Sequence, residues 1–334
     1  MSPRAAPPRR LGLVDAAERG LGRSARGPYP YAIGDRVAGD LTVIGHLATG
    51  RLCHLYQVWS AHEWCAFTCK ILSPDRHDRA IDRRALRREG RILRAVRHPN
   101  LVQSYGEGEH EGLPFLLMEY LEGPSFFDVI EDQPDRRLSA CDALRTAIHL
   151  GAAVYHLHRR GFLHLDLKPA NLILRDHVPV LIDLDSARRI RPGRRGNGIG
   201  TGPYMAPELV RRQEVSPATD VYGLGALLYE MLTGRWPYEA VYQEEEPRRG
   251  LERQFPQIGI QPPDPPSRFA PDLTDGIDRT VLRCLAADPA ERFDNLHPLL
   301  LALSEELERT DSLWPSGVRA ERRQHPREPH RLPE

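Results

Sequence analysis

Lysine is almost missing from this sequence of 334 residues: of its 46 lysine and arginine residues, only Lys70 and Lys168 are lysines. Either residue serves where only solubility matters, but a compact ammonium and a planar guanidinium differ wherever geometry is used. A chain that otherwise uses arginine should keep lysine only where a point charge is required. The two lysines are therefore the first candidates for functional residues.

Long hydrophobic runs and net charge are missing as well. No apolar run approaches the ~18 residues that a membrane span needs, so we expect no membrane segment. The N-terminus is basic and proline-rich, without the hydrophobic segment of a secretory signal. The formal net charge of zero gives no electrostatic argument for binding nucleic acid or a membrane surface. These absences predict a globular protein that binds neither nucleic acid nor a membrane.

Cysteine is scarce, with five residues and no C-x-x-C pair. An odd number of unpaired cysteines predicts reduced thiols and a cytoplasmic location. Because Cys53, Cys65 and Cys69 lie close together in the sequence, a metal site is one interpretation. Their alternation with apolar residues of strand type favours the other interpretation, that they are small buried side chains.

Residues 164–171, H-L-D-L-K-P-A-N, follow an apolar helix and lead into a short hydrophobic strand. They offer the carboxylate of Asp166, the ammonium of Lys168 and the amide of Asn171. A base, a charge that neutralises phosphate and an oxygen ligand for a hard cation are the groups that phosphoryl transfer requires. This stretch predicts a phosphotransfer site.

A helix is predicted over about residues 80–96, because apolar residues recur there at helical spacing between arginine-rich faces. Glu89 lies on the apolar stripe, where a carboxylate must find a cation or bear a desolvation penalty. Lys70, on the preceding strand, is the nearby basic residue outside the arginine faces. We predict that these two residues pair. The alternative is that Glu89 lies at the edge of the stripe and pairs with a neighbouring arginine.

A hairpin is predicted where residues 171–174 and 180–183 flank Arg175-Asp176-His177. Folding about this turn sets Asn171 beside Asp183, and two oxygen ligands near Asp166 predict a magnesium site. The alternative, an Asn and an Asp that cap the turn, does not explain why Asp183 ends an apolar run.

Together these motifs resemble the eukaryotic-type (Hanks-type) serine/threonine protein kinases, bacterial members in style, over about residues 37–306. The resemblance implies an α+β, two-lobed protein kinase fold. Its N-lobe, residues 35–121, would be a small antiparallel β-sheet with one key helix, and its C-lobe, residues 122–306, would be larger and mainly helical. The flanking residues 1–34 and 307–334, which lack helical or strand periodicity, are predicted to be a disordered arm and tail.

The resemblance also implies ATP and Mg²⁺ as cofactors and proteins with Ser/Thr acceptors as substrates, with neither nucleic acid nor membrane as a partner. Asp166 would orient or deprotonate the acceptor hydroxyl, Lys168 would neutralise the transferring phosphoryl group, and Thr201 would bridge the two. Asn171 and Asp183 would hold the metal ions.

On the nucleotide side, Lys70 would bind the α- and β-phosphates with Glu89 as its helix partner. The other residues implied to contact ATP come from the phosphate loop, the strand after it, the gatekeeper position and the hinge: Ala48, Gly50, Leu55, Met118, Glu119 and Leu121. In the C-lobe the resemblance pairs Glu208 with Arg292 and directs Asp220, within a buried helix, at the catalytic loop.

Three features depart from the family pattern. The phosphate loop, residues 48–53, keeps only its central glycine, so we expect weaker ATP binding. Asp185 replaces the glycine of the D-F-G triplet, which should hinder flipping of that segment. Leu165 replaces the arginine that reads a phosphorylated activation loop, which predicts activity not switched on there. The hydroxyls between Asp183 and Glu208 are few: Ser186, Thr201 and Tyr204.

The leading interpretation is an active protein kinase, and a pseudokinase scaffold that binds partners or nucleotide is the main alternative. The altered phosphate loop and Asp185 favour the scaffold, whereas the complete set of polar residues favours the enzyme. A small-molecule kinase is disfavoured because the H-P-N turn, the A-P-E motif and Asp220 occur together. The arginine-rich residues 188–195 fit either acidic substrates or a solvated loop.

Overall fold

The computed structural model describes residues 29–198, 200–239, 255–259 and 262–310. The strands are β1 (Arg36–Val37), β2 (Leu41–Thr49), β3 (Cys53–Ser60), β4 (Cys65–Leu72), β5 (Ser104–His110), β6 (Leu113–Glu119), β7 (Phe162–Leu163), β8 (Leu172–Arg175), β9 (Val178–Leu181) and β10 (Arg188–Arg189). The helices are α1 (Ala80–Ala95), α2 (Phe126–Glu131), α3 (Ala140–Arg159), α4 (Pro207–Val210), α5 (Pro217–Thr233), α6 (Asp275–Cys284) and α7 (Leu296–Thr310).

The first lobe is an antiparallel six-stranded sheet, ordered β1-β2-β3-β4-β6-β5, with helix α1 packed beside it. In this sheet Leu55 lies opposite both Ala48 and Lys70, and Lys70 lies opposite Leu116. Because side chains alternate between the two faces of a strand, Ala48, Leu55 and Lys70 share one face. The register thus gathers three of the predicted nucleotide contacts on the side of the sheet that faces the second lobe.

The second lobe is built around helix α5, in which every residue from Ala218 to Thr233 is buried. Its start and end match the sequence signals. Ser216 and Thr219 form a capping box, and Gly234, with φ of 69°, ends the helix in the left-handed region. Helices α3 and α6 pack against α5, and α7 packs mainly against α3. A helix apolar on all sides therefore becomes the axis of the lobe.

The predicted hairpin is present, but its register differs by one residue. Strands β8 and β9 pair Arg175 with Val178, so the turn contains only Asp176 and His177, both with positive φ (49° and 66°). Two-residue turns of this kind match the twist of paired strands. As a result Asn171 lies opposite Ile182 rather than Asp183, and its carbonyl accepts a 2.9 Å hydrogen bond from the Ile182 amide.

Two further expectations from the sequence differ from the structure. The apolar pattern predicts a strand over residues 101–105, but strand β5 begins only at Ser104. The glycine- and arginine-rich residues 186–202 predict a long mobile loop, but Arg188–Arg189 pair with β7, and the Gly196 amide donates to the Gln213 carbonyl over 2.8 Å.

The chain ends overlap the predicted arm and tail only in part. Residues 29–34 of the predicted arm pack onto the sheet, because Tyr29 and Tyr31 contact its aromatic residues, and α7 continues to Thr310. Residues 1–28 and 311–334 lie outside the described residues, so the rest of those two predictions is not addressed. Within the described ranges no helix is both long and apolar enough to cross a bilayer.

Candidate active site

The catalytic loop, residues 164–171, follows β7 and is anchored to helix α5 through Asp220. The Asp220 carboxylate accepts hydrogen bonds from the amides of His164 (2.8 Å) and Leu165 (2.7 Å) and lies 2.7 Å from His158 Nε2. Burial alone would raise the pKa of Asp220, but these hydrogen bonds and the His158 ring lower it below its ordinary value. The anchoring expected of Asp220 is confirmed.

Leu165 adopts φ of 70°, a left-handed conformation that is uncommon for a residue with a β-carbon. Strain of this kind costs about 1–3 kcal/mol and persists only where neighbouring contacts impose it. The bond from the Leu165 amide to Asp220 and the burial of the Leu165 side chain supply that constraint. The loop therefore presents Asp166 from a backbone held under strain.

At the substrate end of the site, three predicted residues meet. Lys168 Nζ lies 2.9 Å from Asp166 Oδ2 and 3.0 Å from Thr201 Oγ1, and Thr201 Oγ1 donates to Asp166 Oδ1 over 3.1 Å. A carboxylate is thus flanked by an ammonium and a hydroxyl. This arrangement can accept a proton from an incoming hydroxyl while neutralising a phosphoryl group beside it.

At the nucleotide end, Lys70 Nζ contacts both oxygens of Glu89 (2.9 and 2.8 Å) and Asp183 Oδ1 (2.9 Å). The predicted partner of Glu89 is therefore Lys70 and not an arginine. Burial raises the pKa of Glu89 to about 7, because the nearby ammonium offsets only part of the desolvation. For Asp183 the balance is reversed: burial opposes ionisation, but Lys70 dominates and holds its pKa below the ordinary value.

The two ends are joined by His164, which the sequence reasoning did not identify as a site residue. His164 Nε2 lies 2.9 Å from the Asp183 carbonyl oxygen, and its Nδ1 accepts a 3.2 Å hydrogen bond from the Asp166 amide. One imidazole thus fixes the backbone of residues 183–185 relative to the catalytic loop. Its position two residues before Asp166 was a signal that could have been used.

The donor set fits a hard divalent cation. The Asn171 amide nitrogen donates to the Asp166 carbonyl (2.9 Å), and no donor among the described residues bonds the Asn171 amide oxygen. Asn171 and Asp183 could hold Mg²⁺, which typically takes one or two protein ligands and completes its shell with phosphate oxygens and water. Asp183 directly follows Ile182, whose amide bonds the Asn171 carbonyl. By contrast, no group of three or more His, Cys, Asp or Glu in the described ranges could hold a metal, so the cysteine interpretation is unsupported.

The predicted adenine contacts lie at β6 and the connector after it. Met118 and Leu121 are buried. The Glu119 amide already donates to the Gln103 carbonyl (3.0 Å), and its carboxylate binds Arg175 (2.9 Å). The Glu119 N–H is therefore occupied, and that residue could contact adenine only through its carbonyl.

The phosphate loop closes tightly at its tip. The Gly50 amide donates to the Cys53 carbonyl over 2.8 Å, and a β-carbon on Gly50 would approach that oxygen to 3.3 Å. Ala48 lies opposite Leu55 in the next-to-last pair of the β2–β3 ladder, before Thr49 and His54. A side chain at the one retained glycine would therefore crowd the backbone that closes the loop.

Asp185, which stands where the family's D-F-G triplet has glycine, is held through its backbone. Its carbonyl accepts hydrogen bonds from Arg88 Nη2 (2.8 Å) and Arg188 Nη1 (2.9 Å). The charge of Asp183, followed by burial, raises the pKa of Asp185 above its ordinary value. Sequence reasoning assigned neither arginine to Asp185, because a bond from a side chain to a backbone oxygen leaves no pattern in the sequence.

Comparison with known proteins agrees with this geometry. Residues 41–299 match the family model described as protein kinase domain. Serine/threonine-protein kinase PknB of Mycolicibacterium smegmatis is 32% identical over 226 residues, 62% of this chain and 33% of that protein. Serine/threonine-protein kinase pkn2 of Myxococcus xanthus is 30% identical over 278 residues, 80% of this chain and 32% of that protein.

Among solved structures, the Mycobacterium tuberculosis PknI kinase domain aligns with a TM-score of 0.63 at 26% identity, covering 83% of this chain and 99% of that one. The chain belongs to the protein kinase family and has its two-lobed fold, as the sequence predicted. It spans about a third of the length of the curated relatives named above.

Proposed function

We propose that this protein transfers the γ-phosphoryl group of ATP to serine and threonine hydroxyls of protein substrates, using Mg²⁺. The observation that carries the proposal is the use of its only two lysines. Lys70 bonds Glu89 and Asp183 at the nucleotide end, and Lys168 contacts Asp166 at the substrate end.

In this proposal Lys70 binds the α- and β-phosphates while Glu89 holds its ammonium in place. Asn171 and Asp183 would hold Mg²⁺, which would supply positive charge at the phosphates. Asp166 accepts or orients the proton of the acceptor hydroxyl, and Lys168 neutralises the transferring group. Catalysis then consists of positioning and charge stabilisation.

The substrate class and the compartment are supported by the relatives and by the cysteines. Relatives named serine/threonine-protein kinases favour proteins with Ser/Thr acceptors and give no support for nucleic acid. All five cysteines are free thiols, which fits the reducing cytoplasm. Residues outside the described ranges take no part in this proposal.

We also propose that activation-loop phosphorylation does not switch the activity on. All three hydroxyls there are already engaged, Ser186 with Asp185 (3.0 Å), Thr201 with Asp166 (3.1 Å) and Tyr204 with Glu230 (2.7 Å). Leu165 also offers no charge to receive a phosphate. A phosphorylated loop that raises the rate at least tenfold would contradict this.

The test is label transfer from ATP and Mg²⁺ to a generic protein acceptor. We expect transfer by the parent, and a loss of at least about 100-fold for Asp166→Asn and for Lys70→Met. Asp176→Asn, in the exposed hairpin turn, is the matched control and should leave the rate unchanged. The pseudokinase alternative, favoured by Asp185 and the altered phosphate loop, predicts no transfer by any variant and partner binding indifferent to both site substitutions.

A further inference from the structure

A segment before the first strand covers the outer face of the N-lobe sheet. We call residues 29–35 the strap. Its end pairs with β2 through backbone hydrogen bonds from the Gly34 amide to the Val43 carbonyl (2.8 Å) and from the Val43 amide to the Asp35 carbonyl (2.9 Å). The strap is thus joined to the strand that leads into the phosphate loop.

Aromatic rings fix the front of the strap. Tyr29 stacks on His46 with ring centroids 4.1 Å apart and planes 5° from parallel, and Tyr56 meets Tyr29 edge-on at 5.6 Å. His46 Nε2 lies 2.8 Å from the Tyr31 carbonyl oxygen, and the Tyr31 amide donates to the Tyr56 hydroxyl over 3.4 Å. Tyr56 is fully buried beneath this layer. His46 is therefore held from both sides, by a stacked ring and by a backbone oxygen.

The strap lies on the face of the sheet opposite the nucleotide side. Tyr56 follows Leu55 in β3, and residues adjacent in a strand point to opposite faces. Lys70 and Leu55 share the nucleotide face, so Tyr56 and its cross-strand neighbour His46 belong to the outer face. The strap can act on the nucleotide only through the hairpin that separates them.

Two features connect the strap structurally with the phosphate loop. The β2–β3 ladder is irregular between His46 and Ala48, so the strand loses regular pairing just before the loop. Tyr29 also lies 5.8 Å from the His54 ring, whose Nδ1 is 3.4 Å from Thr49 Oγ1 within the loop. The loop is thus supported from outside, at the irregular point of its own hairpin.

We propose that the strap is a positioning element for ATP: the stack of Tyr29 on His46 braces the phosphate-loop hairpin from its outer face. The inference depends on the proposed function, since it presumes that ATP occupies the cleft. A loop that keeps one glycine approaches the phosphates less closely. Its affinity for ATP therefore depends more on being held in the conformation that binds. A braced loop removes the population of hairpins that cannot bind, which lowers the apparent KM for ATP.

The test measures KM for ATP and kcat in the full chain. Tyr29→Ala removes the stack, and KM for ATP should rise about three- to tenfold with kcat within twofold, the range expected for losing one aromatic pair. Tyr29→Phe is the matched control: it keeps the ring and removes a hydroxyl that is buried without a partner in the described structure, so KM should not change. Tyr105→Ala removes an exposed ring on β5 and should also leave KM unchanged.

His46→Gln removes the other ring of the stack while keeping a side-chain donor for the Tyr31 carbonyl. Both single variants and the double variant complete a double-mutant cycle. If the stack is the brace, the double variant raises KM no more than the larger single effect. A KM unchanged in either single variant, effects that multiply, or a loss confined to kcat would overturn the proposal.

Folding and phosphotransfer are controlled separately. If Tyr29→Ala melts below the assay temperature, His46→Gln alone decides the outcome by the same KM criterion. If the parent binds ATP without transferring phosphate, the Kd for ATP replaces KM throughout. The strap proposal is then tested by whether the Kd rises, even if the proposed function fails.

Discussion

Two buried ionic clusters in this protein are built in opposite ways. In the C-lobe, Arg292 and Glu208 form a bidentate pair with both N–O distances at 2.8 Å, and the two residues are 1% and 3% exposed. In the cleft, Lys70 alone faces both Glu89 and Asp183. The guanidinium of Arg292 also donates to carbonyl oxygens of the surrounding backbone: Ala218, Ala286 and Ala287.

The difference separates a structural pair from a reactive one. The C-lobe pair is closed, since each charge has one partner and the remaining donors are bonded. The cleft is open, because four carboxylates, including Asp166 and Asp185, face the two lysines. An excess of negative charge is unfavourable in isolation and is relieved by a divalent cation. The comparison predicts that breaking the closed pair costs stability, whereas breaking the open cluster costs activity.

Arg292→Ala should have the largest effect on folding. Removing one partner of a buried pair leaves Glu208 uncompensated, so the free energy of unfolding should fall by about 3–5 kcal/mol. Urea denaturation measures the loss. Arg137→Ala, which breaks an exposed pair with Asp272, is the control and should cost less than about 1 kcal/mol. If both variants lose equally little, the closed pair is not the anchor that its geometry suggests.

Lys70→Met should show the reverse of Arg292→Ala, with little loss of stability and a large loss of activity. Glu89 already has a pKa of about 7, and without the ammonium it can take up a proton, so the buried charge disappears. We expect an unfolding free energy within about 2 kcal/mol of the parent, together with a rate at least about 100-fold lower. Denaturation measures the unfolding free energy, and label transfer on the same preparation measures the rate. A Lys70→Met protein as unstable as Arg292→Ala would erase the distinction between the two clusters.

These two clusters also show what the sequence could and could not predict. Lys70 and Glu89 could be paired in advance because a lone lysine and a carboxylate on an apolar stripe leave few other partners. The hairpin register could not be predicted, because a turn of two residues and a turn of three residues both fit the sequence pattern. The positive φ of Asp176 and His177 in the structure identifies the two-residue turn. Contacts such as Arg88 with the Asp185 carbonyl join a side chain to a backbone oxygen, for which the sequence carries no signal.

Glu230 is another buried carboxylate to compare with the two clusters, and its hydrogen-bond donors are neutral rather than charged. It accepts hydrogen bonds from the Tyr204 hydroxyl (2.7 Å) and Trp236 Nε1 (2.9 Å), and burial raises its pKa from 4.5 to about 7. The folded state therefore holds a proton that the unfolded state releases. The resulting stabilisation is present below pH ~4.5 and is lost as the pH rises through about 7.

Glu230→Gln should remove that pH dependence. The unfolding free energy of the parent minus that of the variant should fall by about 2–3 kcal/mol between pH 5 and 8, because other titrating groups cancel in the difference. Denaturation at several pH values measures it. A difference that stays flat or rises with pH would show that Glu230 does not take up a proton on folding in this range.

Asp185→Gly should have the smallest effect and addresses the open cluster alone. The bonds from Arg88 and Arg188 go to the backbone carbonyl, which glycine retains, so stability should change by less than about 1 kcal/mol. Removing a carboxylate beside Asp183 weakens the attraction for Mg²⁺, and half-maximal activity should need about two- to threefold more Mg²⁺. Asp185→Asn, which removes the charge but keeps the side chain, should give the same Mg²⁺ shift. If only the glycine variant changes the Mg²⁺ requirement, backbone freedom rather than charge distinguishes this triplet, and the excess of carboxylates is not what recruits the cation.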